Sequence, residues 1–294
     1  MNFEILVGDV RLALEKVDDC SIQTTVTSPP YFGLRQYSDN DAAEIGNEKT
    51  YNEYILHLKE IFGLLWKKTK EDGTLFLNLG DSYIDNHLAG IPWRVAIALG
   101  EVGWVLRSDI IWRKPNAMPS SVKNRFTVDH EYVFFFAKRP KCYAFYQDVV
   151  REPHVTFSEN SKMKGGRNHL GKRGGTPENG KNAGNANLHN GRWDQAFHPL
   201  GRNRRTVWDI ALGKFRGAHF AVFPERLVEL CVMAATVEGD TICDPFTGSG
   251  TTGLVAVKNK RNFIGFELVP EYAEMALARI KEANDVATDR TLFD

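Results

Sequence analysis

The sequence has little of what marks a metal protein, a membrane protein or an exported one. Its four cysteines, Cys20, Cys142, Cys231 and Cys243, lie far apart and without paired metal-ligand spacing. No metal is therefore expected, and reduced thiols in the core are. No apolar run approaches the roughly 20 residues that cross a bilayer, and Met1-Asn2-Phe3-Glu4 lacks a basic region followed by an apolar one. A cytoplasmic protein with no membrane partner is the expectation. Net charge is absent too, since 37 Lys and Arg balance 37 Asp and Glu, so a polyanionic partner is signalled only if charge is segregated along the chain. No lysine stands at Walker spacing after a glycine turn, which disfavours ATP. The 294 residues suffice for one large domain, or one domain with an insertion.

What is present reads as strands alternating with helices. Phe3 to Val10 is a buried strand running into Gly8-Asp9, Arg11 to Val17 one helical stretch, and Ile22 to Thr27 a second strand. Tyr51 to Lys70 places Tyr54, Ile55, Leu58, Ile61, Phe62, Leu65 and Trp66 at helical period with charges opposite. Gly73 to Leu79 is a strand, Pro92 to Glu101 a helix, and Trp104 to Trp112 and Glu131 to Ala137 two more strands. Pro224 to Ala235 is an amphipathic helix and Thr241 to Phe246 a strand. This order predicts an α/β fold, a mainly parallel sheet covered by helices on both faces.

Charge is segregated in one window. Residues 151–205 carry eleven basic against four acidic side chains, a net of +7, among abundant Gly and Asn and without periodicity. A solvated insertion is one reading. Arg and Lys interleaved with His169, His189 and Trp193 fit a nucleic-acid surface better, and an irregular segment suits ordering on a partner. The expected domains are thus 1–150 with 206–294, and a basic insertion at 151–205.

Two turns carry the chemistry. Thr27-Ser28-Pro29-Pro30-Tyr31 follows a strand, and its two prolines fix φ and supply no N–H, leaving carbonyls free to face a ligand between a hydroxyl and an aromatic ring. An ordinary Pro-Pro turn remains the other reading of these five residues. The second turn, Asp244-Pro245-Phe246-Thr247-Gly248-Ser249-Gly250-Thr251-Thr252-Gly253, leaves a strand and enters a helix at Leu254 to Lys258. It contains G-x-G-x-x-G, and the next strand, Asn262 to Phe266, ends in Glu267, 19 positions after Gly248, close to the ~20 expected of a ribose-binding carboxylate. A pyrophosphate would prefer an uncompensated helix N-terminus. Asp244 beside this turn favours a cationic sulfonium, hence S-adenosylmethionine over NAD.

Taken together, Ser28-Pro29-Pro30-Tyr31 and Asp244-Pro245-Phe246-x-Gly248-Ser249-Gly250-Thr251-Thr252 resemble the amino-group DNA methyltransferases of the beta arrangement. The resemblance extends through Gly80-Asp81-Ser82-Tyr83, Trp112-Arg113-Lys114-Pro115-Asn116, His130-Glu131 and His219-Phe220-Ala221-Val222-Phe223-Pro224. It implies a Rossmann-like methyltransferase fold, circularly permuted, with the cofactor half at the C-terminus and the target-recognition region in the basic insertion. It implies that Asp244, Phe246, Gly248 and Gly250 surround the methionine part of S-adenosylmethionine, Glu267 its ribose and Asp9 its adenine, with Thr251 or Thr252 at its carboxylate. Ser28, Pro29, Pro30 and Tyr31 would hold a flipped base, with Tyr31 offering a stacking face. Double-stranded DNA is the implied partner, contacted by Arg35, Arg125, Arg167, Lys172, Arg173, Arg192, Arg202, Arg204 and Arg205. A homodimer and a separately acting restriction endonuclease stay open.

Within this family Ser at position 28 favours cytosine N4 over adenine N6, although a hydroxyl accepts from either amine. No cysteine sits in a Pro-Cys turn, which argues against cytosine C5 chemistry. RNA or protein methylation, a non-catalytic DNA-binding protein and a nicotinamide-dependent oxidoreductase are the competing classes. Thr291-Leu292-Phe293 resembles a sliding-clamp peptide, but a frayed terminus accounts for it as well.

Overall fold

The computed structural model describes residues 1–34, 44–155, 198–212 and 224–291, with side chains to residue 286. They divide into two compact units, Met1–Tyr146 with Thr206–Asp294, and Gln147–Arg205. Arg35, Arg167, Lys172, Arg173 and Arg192 lie outside the described residues, as do His169, His189, Trp193, residues 219–223 and the terminal Leu292-Phe293.

In the larger unit the strands are β1 (Phe3–Val7), β2 (Ile22–Thr27), β3 (Thr69–Leu79), the short hairpin β4 (Tyr83–Ile84) and β5 (His87–Leu88), then β6 (Val105–Arg113), β7 (His130–Ala137), β8 (Val207–Asp209), β9 (Thr241–Asp244) and β10 (Asn262–Glu267). The helices are α1 (Val10–Ala13), α2 (Tyr51–Lys68), α3 (Ile91–Glu101), α4 (Glu225–Ala235), α5 (Thr251–Lys258) and α6 (Pro270–Thr291). The main sheet has eight strands in the order β1-β10-β9-β2-β3-β7-β6-β8. β1, β10, β9, β2 and β3 run parallel, β7 is antiparallel to β3 and β6, and β8 is parallel to β6.

Every residue of β2 is buried, which requires helices on both faces of the sheet. Leu58, Ile61, Phe62 and Leu65 of α2 and Val95 and Leu99 of α3 pack with Leu75, Leu77, Phe134 and Phe136 of the sheet. Helices α4, α5 and α6 bury Val228, Cys231, Val255, Ala276 and Ile280. The capping box of Thr50 and Glu53 starts α2.

The permutation is visible in the pairing. β1, first in the chain, lies beside β10, near its end, so the N-terminal strand completes the C-terminal half. β2 then adjoins β9, with Thr25 opposite Cys243, which sets the carboxyl ends of these two parallel strands side by side. In open α/β sheets ligands bind at such ends. Here that edge receives both motifs.

Several expectations are corrected. β1 stops at Val7 because Gly8 takes φ +122°, and Asp9 then caps α1 by accepting the Arg11 N–H. The expected helix Arg11 to Val17 is α1 followed by a 3₁₀ turn at Leu14–Lys16. Helix α5 begins at Thr251, three residues before Leu254, and α6 was not anticipated. Core thiols are found at Cys231 and Cys243, whereas Cys20 and Cys142 are exposed, each on a turn with positive φ.

Candidate active site

The carboxyl ends of β1, β10, β9, β2 and β6, the last residues of β3 and the start of β7 enclose a cavity of about 370 Å³. Asp9, Phe246, Gly248, Thr251 and Glu267 line it from one motif's side, and Ser28, Pro29, Pro30 and Tyr31 from the other. The two turns therefore share one space.

Glu267 is half-buried at the end of β10 and holds the glycine turn in place. Its Oε2 accepts the Gly248 N–H at 2.8 Å and its Oε1 the Val269 N–H at 3.1 Å. Burial raises its carboxyl above the usual carboxylate range, against those backbone donors. Gly248 reaches this bond with φ +50°. Gly250 starts α5 at φ +80°, where a Cβ would meet that of Ala276 at 2.9 Å, so the turn lies too close to α6 for a side chain.

Asp244, Gly250 and Thr252 are not among the lining residues. Asp244 is 1% exposed and lies beneath the turn. Its Oδ1 accepts the Thr27 hydroxyl at 2.6 Å and the Phe246 N–H at 3.1 Å, and its Oδ2 accepts the Thr252 hydroxyl at 2.7 Å. Burial pushes this carboxyl up to about 6, although all three donors oppose the rise. Because Thr27 immediately precedes Ser28, this carboxylate fastens one motif to the other. The fully buried Thr252 hydroxyl is directed at Asp244 and the Val26 carbonyl, so of the pair Thr251 and Thr252 it is Thr251 that faces the cavity. Asp9 lines the cavity with its carboxylate bound by the Arg11 backbone N–H and guanidinium. Burial would raise its pKa, but Arg11 outweighs burial and holds it below the usual range.

In the Pro-Pro turn the expectation of free carbonyls fails at Pro30, whose oxygen accepts the Tyr54 hydroxyl at 2.9 Å. The Tyr31 ring lines the cavity and is held against Gly80, where a Cβ would come within 2.7 Å of Cε2. Its hydroxyl donates to Glu131 Oε2 at 2.7 Å, with Asn78 Oδ1 at 3.3 Å as a second acceptor, and the Ser28 hydroxyl reaches it at 3.4 Å. Burial and then the Glu131 charge raise the Tyr31 phenol well above its ordinary value, so it stays protonated.

Asn78, Lys114 and Glu131 also line the cavity, and no sequence motif assigns them a role. Glu131 accepts from Asn78 Nδ2 at 3.0 Å and from Lys114 Nζ, whose ammonium sits 4.7 Å from the centre of the Trp112 ring. Trp112-Arg113-Lys114 and His130-Glu131 stood out as segments, but nothing in their spacing links them to Tyr31.

Arg125 is exposed, with its guanidinium stacked on Tyr83. In the smaller unit Arg202 pairs with Glu152 at 2.8 Å and Arg204 donates to the Val150 carbonyl at 2.8 Å. These two, with Arg151, Arg205 and His198, line a concavity of about 540 Å³. Among the described residues no group of His, Cys, Asp and Glu is arranged to hold a metal ion, and no helix is long and apolar enough to cross a membrane.

A family model described as DNA methylase matches residues 22–278. The chain is 36% identical over 306 residues to the type II methyltransferase M.SmaI of Serratia marcescens, covering 94% of this chain and 90% of that one. It is 36% identical to the type II methyltransferase M.Cfr9I of Citrobacter freundii, covering 93% and 86%. Among solved structures, the cytosine-N4-specific PvuII DNA methyltransferase superposes with a TM-score of 0.67 at 23% identity, over 98% of this chain and 92% of that one. The M1.HpyAVI complex with SAM superposes with a TM-score of 0.57 at 18% identity, over 95% and 98%.

Proposed function

This chain belongs to the DNA methylase family, and from that premise we propose that it transfers the methyl group of S-adenosylmethionine to the exocyclic N4 of a cytosine flipped out of duplex DNA. The observation that carries this reading is the single cavity in which the glycine turn and Glu267 meet Ser28-Pro29-Pro30-Tyr31. Its lining suits the cofactor's charge. Asp9, paired with Arg11, and Glu44, Glu131 and Glu267 face it, and Lys114, paired with Glu131, is the one basic side chain in the lining among the described residues. Such a surface favours a sulfonium cation and repels a pyrophosphate, the ligand that an oxidoreductase of this outline would need.

In this reading Glu267 binds the ribose hydroxyls, Phe246 and Gly248 flank the methionine portion, Thr251 meets its carboxylate at the start of α5, and Asp9 lies at the adenine. Bound there, the cofactor supplies an activated methyl group. Everything else falls to the chain. The Ser28 hydroxyl oxygen and the Pro29 carbonyl accept from the target amine, draw its lone pair out of conjugation and aim it at the methyl carbon. Asp244 holds the two turns at the separation that this alignment needs.

Cytosine is favoured over adenine because residue 28 is a serine, where Asp accompanies adenine N6. The target nucleotide is extruded from the duplex at a cost of a few kcal/mol, and the duplex is held through backbone phosphates, to which Arg125, Arg202, Arg204, Arg205 and the basic side chains of 156–197 contribute. The type II relatives support a cognate restriction endonuclease acting separately on the same sequence.

The test is to methylate unmodified plasmid with labelled cofactor and digest it to nucleosides. Label in N4-methylcytosine is expected. Label in N6-methyladenine would overturn the cytosine assignment, and none in DNA beside label in RNA would overturn the substrate.

A further inference from the structure

Methyl transfer leaves a proton to be removed. The amine nitrogen uses its lone pair to bond the methyl carbon as the S–C bond breaks, so nitrogen takes on the positive charge that sulfur gives up. The side chains around Ser28 form a line that leads away from that nitrogen. Ser28 donates to the Tyr31 oxygen at 3.4 Å, and Tyr31 donates to Glu131 Oε2 at 2.7 Å. The first distance is long for a hydrogen bond, as such bonds are before substrate closes the site. Every link points the same way. With the Ser28 proton committed to Tyr31, the serine oxygen keeps its lone pairs for the amine.

We infer that Ser28, Tyr31 and Glu131 form a proton relay for the transfer reaction, with Glu131 as the terminal acceptor; this rests on the function proposed above. As the N–C bond forms, the amine proton passes to Ser28 Oγ, the serine proton to the Tyr31 oxygen, and the tyrosine proton to Glu131 Oε2. Sulfonium and carboxylate are consumed, while thioether and carboxylic acid are produced, so charge balances. Tyr31 gains one proton as it loses another and never becomes a phenolate, in keeping with its raised pKa.

The surroundings hold the members of the relay in position. Glu131 is held on its other oxygen by Lys114, and Asn78 Nδ2 fixes Oε2 in place, so the carboxylate cannot swing away from Tyr31. Asn78 is held in turn by the Tyr132 carbonyl at 3.1 Å. Gly80 pins the Tyr31 ring, so its hydroxyl swings little from the line. A buried tyrosine hydroxyl needs an acceptor for packing alone, so the relay is told apart from a structural role by its solvent isotope effect.

The experiment compares single-turnover methyl transfer to duplex DNA in H₂O and D₂O for the wild-type enzyme, Tyr31→Phe and Glu131→Gln, with cofactor affinity measured on each. The wild-type rate is expected to fall in D₂O. Tyr31→Phe keeps the ring but is expected to transfer about tenfold more slowly or worse, to lose the solvent isotope effect and to bind cofactor as before. Glu131→Gln should behave likewise, since its amide oxygen still accepts a hydrogen bond but takes no proton. A wild-type rate unchanged in D₂O overturns the relay even if neither variant folds, as does Tyr31→Phe at the wild-type rate. A wild-type enzyme that methylates no DNA overturns the proposed function itself.

Discussion

Replacing Glu267 with alanine is expected to weaken S-adenosylmethionine binding roughly a hundredfold or more while leaving the fold intact. The carboxylate is half-buried at the end of β10 and facing the cavity, so ribose hydroxyls donating to it, as proposed, would form charge-assisted bonds out of bulk water. Two such bonds are worth about 3 kcal/mol or more together, which corresponds to roughly a hundredfold in affinity. The same substitution frees the Gly248 and Val269 N–H groups, now bound at 2.8 and 3.1 Å, and the glycine turn loses its anchor. Glu267→Gln keeps one acceptor oxygen and should fall between. Titration calorimetry with the cofactor measures this directly. An alanine variant that binds within about threefold of wild type would remove Glu267 from the cofactor site.

Asp244 is expected to matter for stability more than any other residue of the two motifs. Asp244→Ala strands the Thr27 hydroxyl and the Phe246 N–H in a site that is 1% exposed, at an expected loss of about 3 kcal/mol. Asp244→Asn should be far milder. Its oxygen still accepts from Thr27 and Phe246, and the Thr252 hydroxyl, which also lies 3.2 Å from the Val26 carbonyl, has an alternative acceptor.

The asparagine variant also isolates a pH effect. The carboxyl titrates near 3.8 in the unfolded chain and is pushed up to about 6 in the fold. Between these values the unfolded group has lost its proton while the folded one keeps it, so the unfolded state binds fewer protons and stability falls as pH rises through the window. Over the whole window the decline attributable to Asp244 is about 3 kcal/mol. Denaturant unfolding of wild type and Asp244→Asn at pH about 5 and about 7.5 should show the variant gaining on wild type at the higher pH. Parallel pH profiles for the two proteins would contradict the buried carboxylate.

The features legible in the sequence were those carried by local chemistry. Ser28-Pro29-Pro30-Tyr31 and the glycine turn declare themselves because proline and glycine constrain the backbone where they stand, and Glu267 follows at a spacing set by one helix and one strand. Those residues do share a cavity. The sequence did not reveal what the sheet assembles from far apart. Glu131 lies 100 positions from Tyr31 and 53 from Asn78, and they meet because β7 runs antiparallel to β3. No local pattern encodes that pairing. Thr252 shows the converse limit. Its place in the glycine turn suggests a ligand contact, and only the helix rotation that turns its hydroxyl toward Asp244 distinguishes it from Thr251. Pro30 was misread for a similar reason, since the hydroxyl that takes its carbonyl comes from Tyr54, 24 residues away on α2.

In the proposed function the two turns do separate jobs in one space, one holding the cofactor and the other activating the amine. Ser28→Ala tests it most directly, in a single-turnover assay of methyl transfer to duplex DNA with cofactor held at saturation. The expected result is transfer at least about tenfold slower than wild type, with the cofactor still bound at wild-type affinity. Transfer at the wild-type rate would remove the Ser28 hydroxyl from activation of the amine.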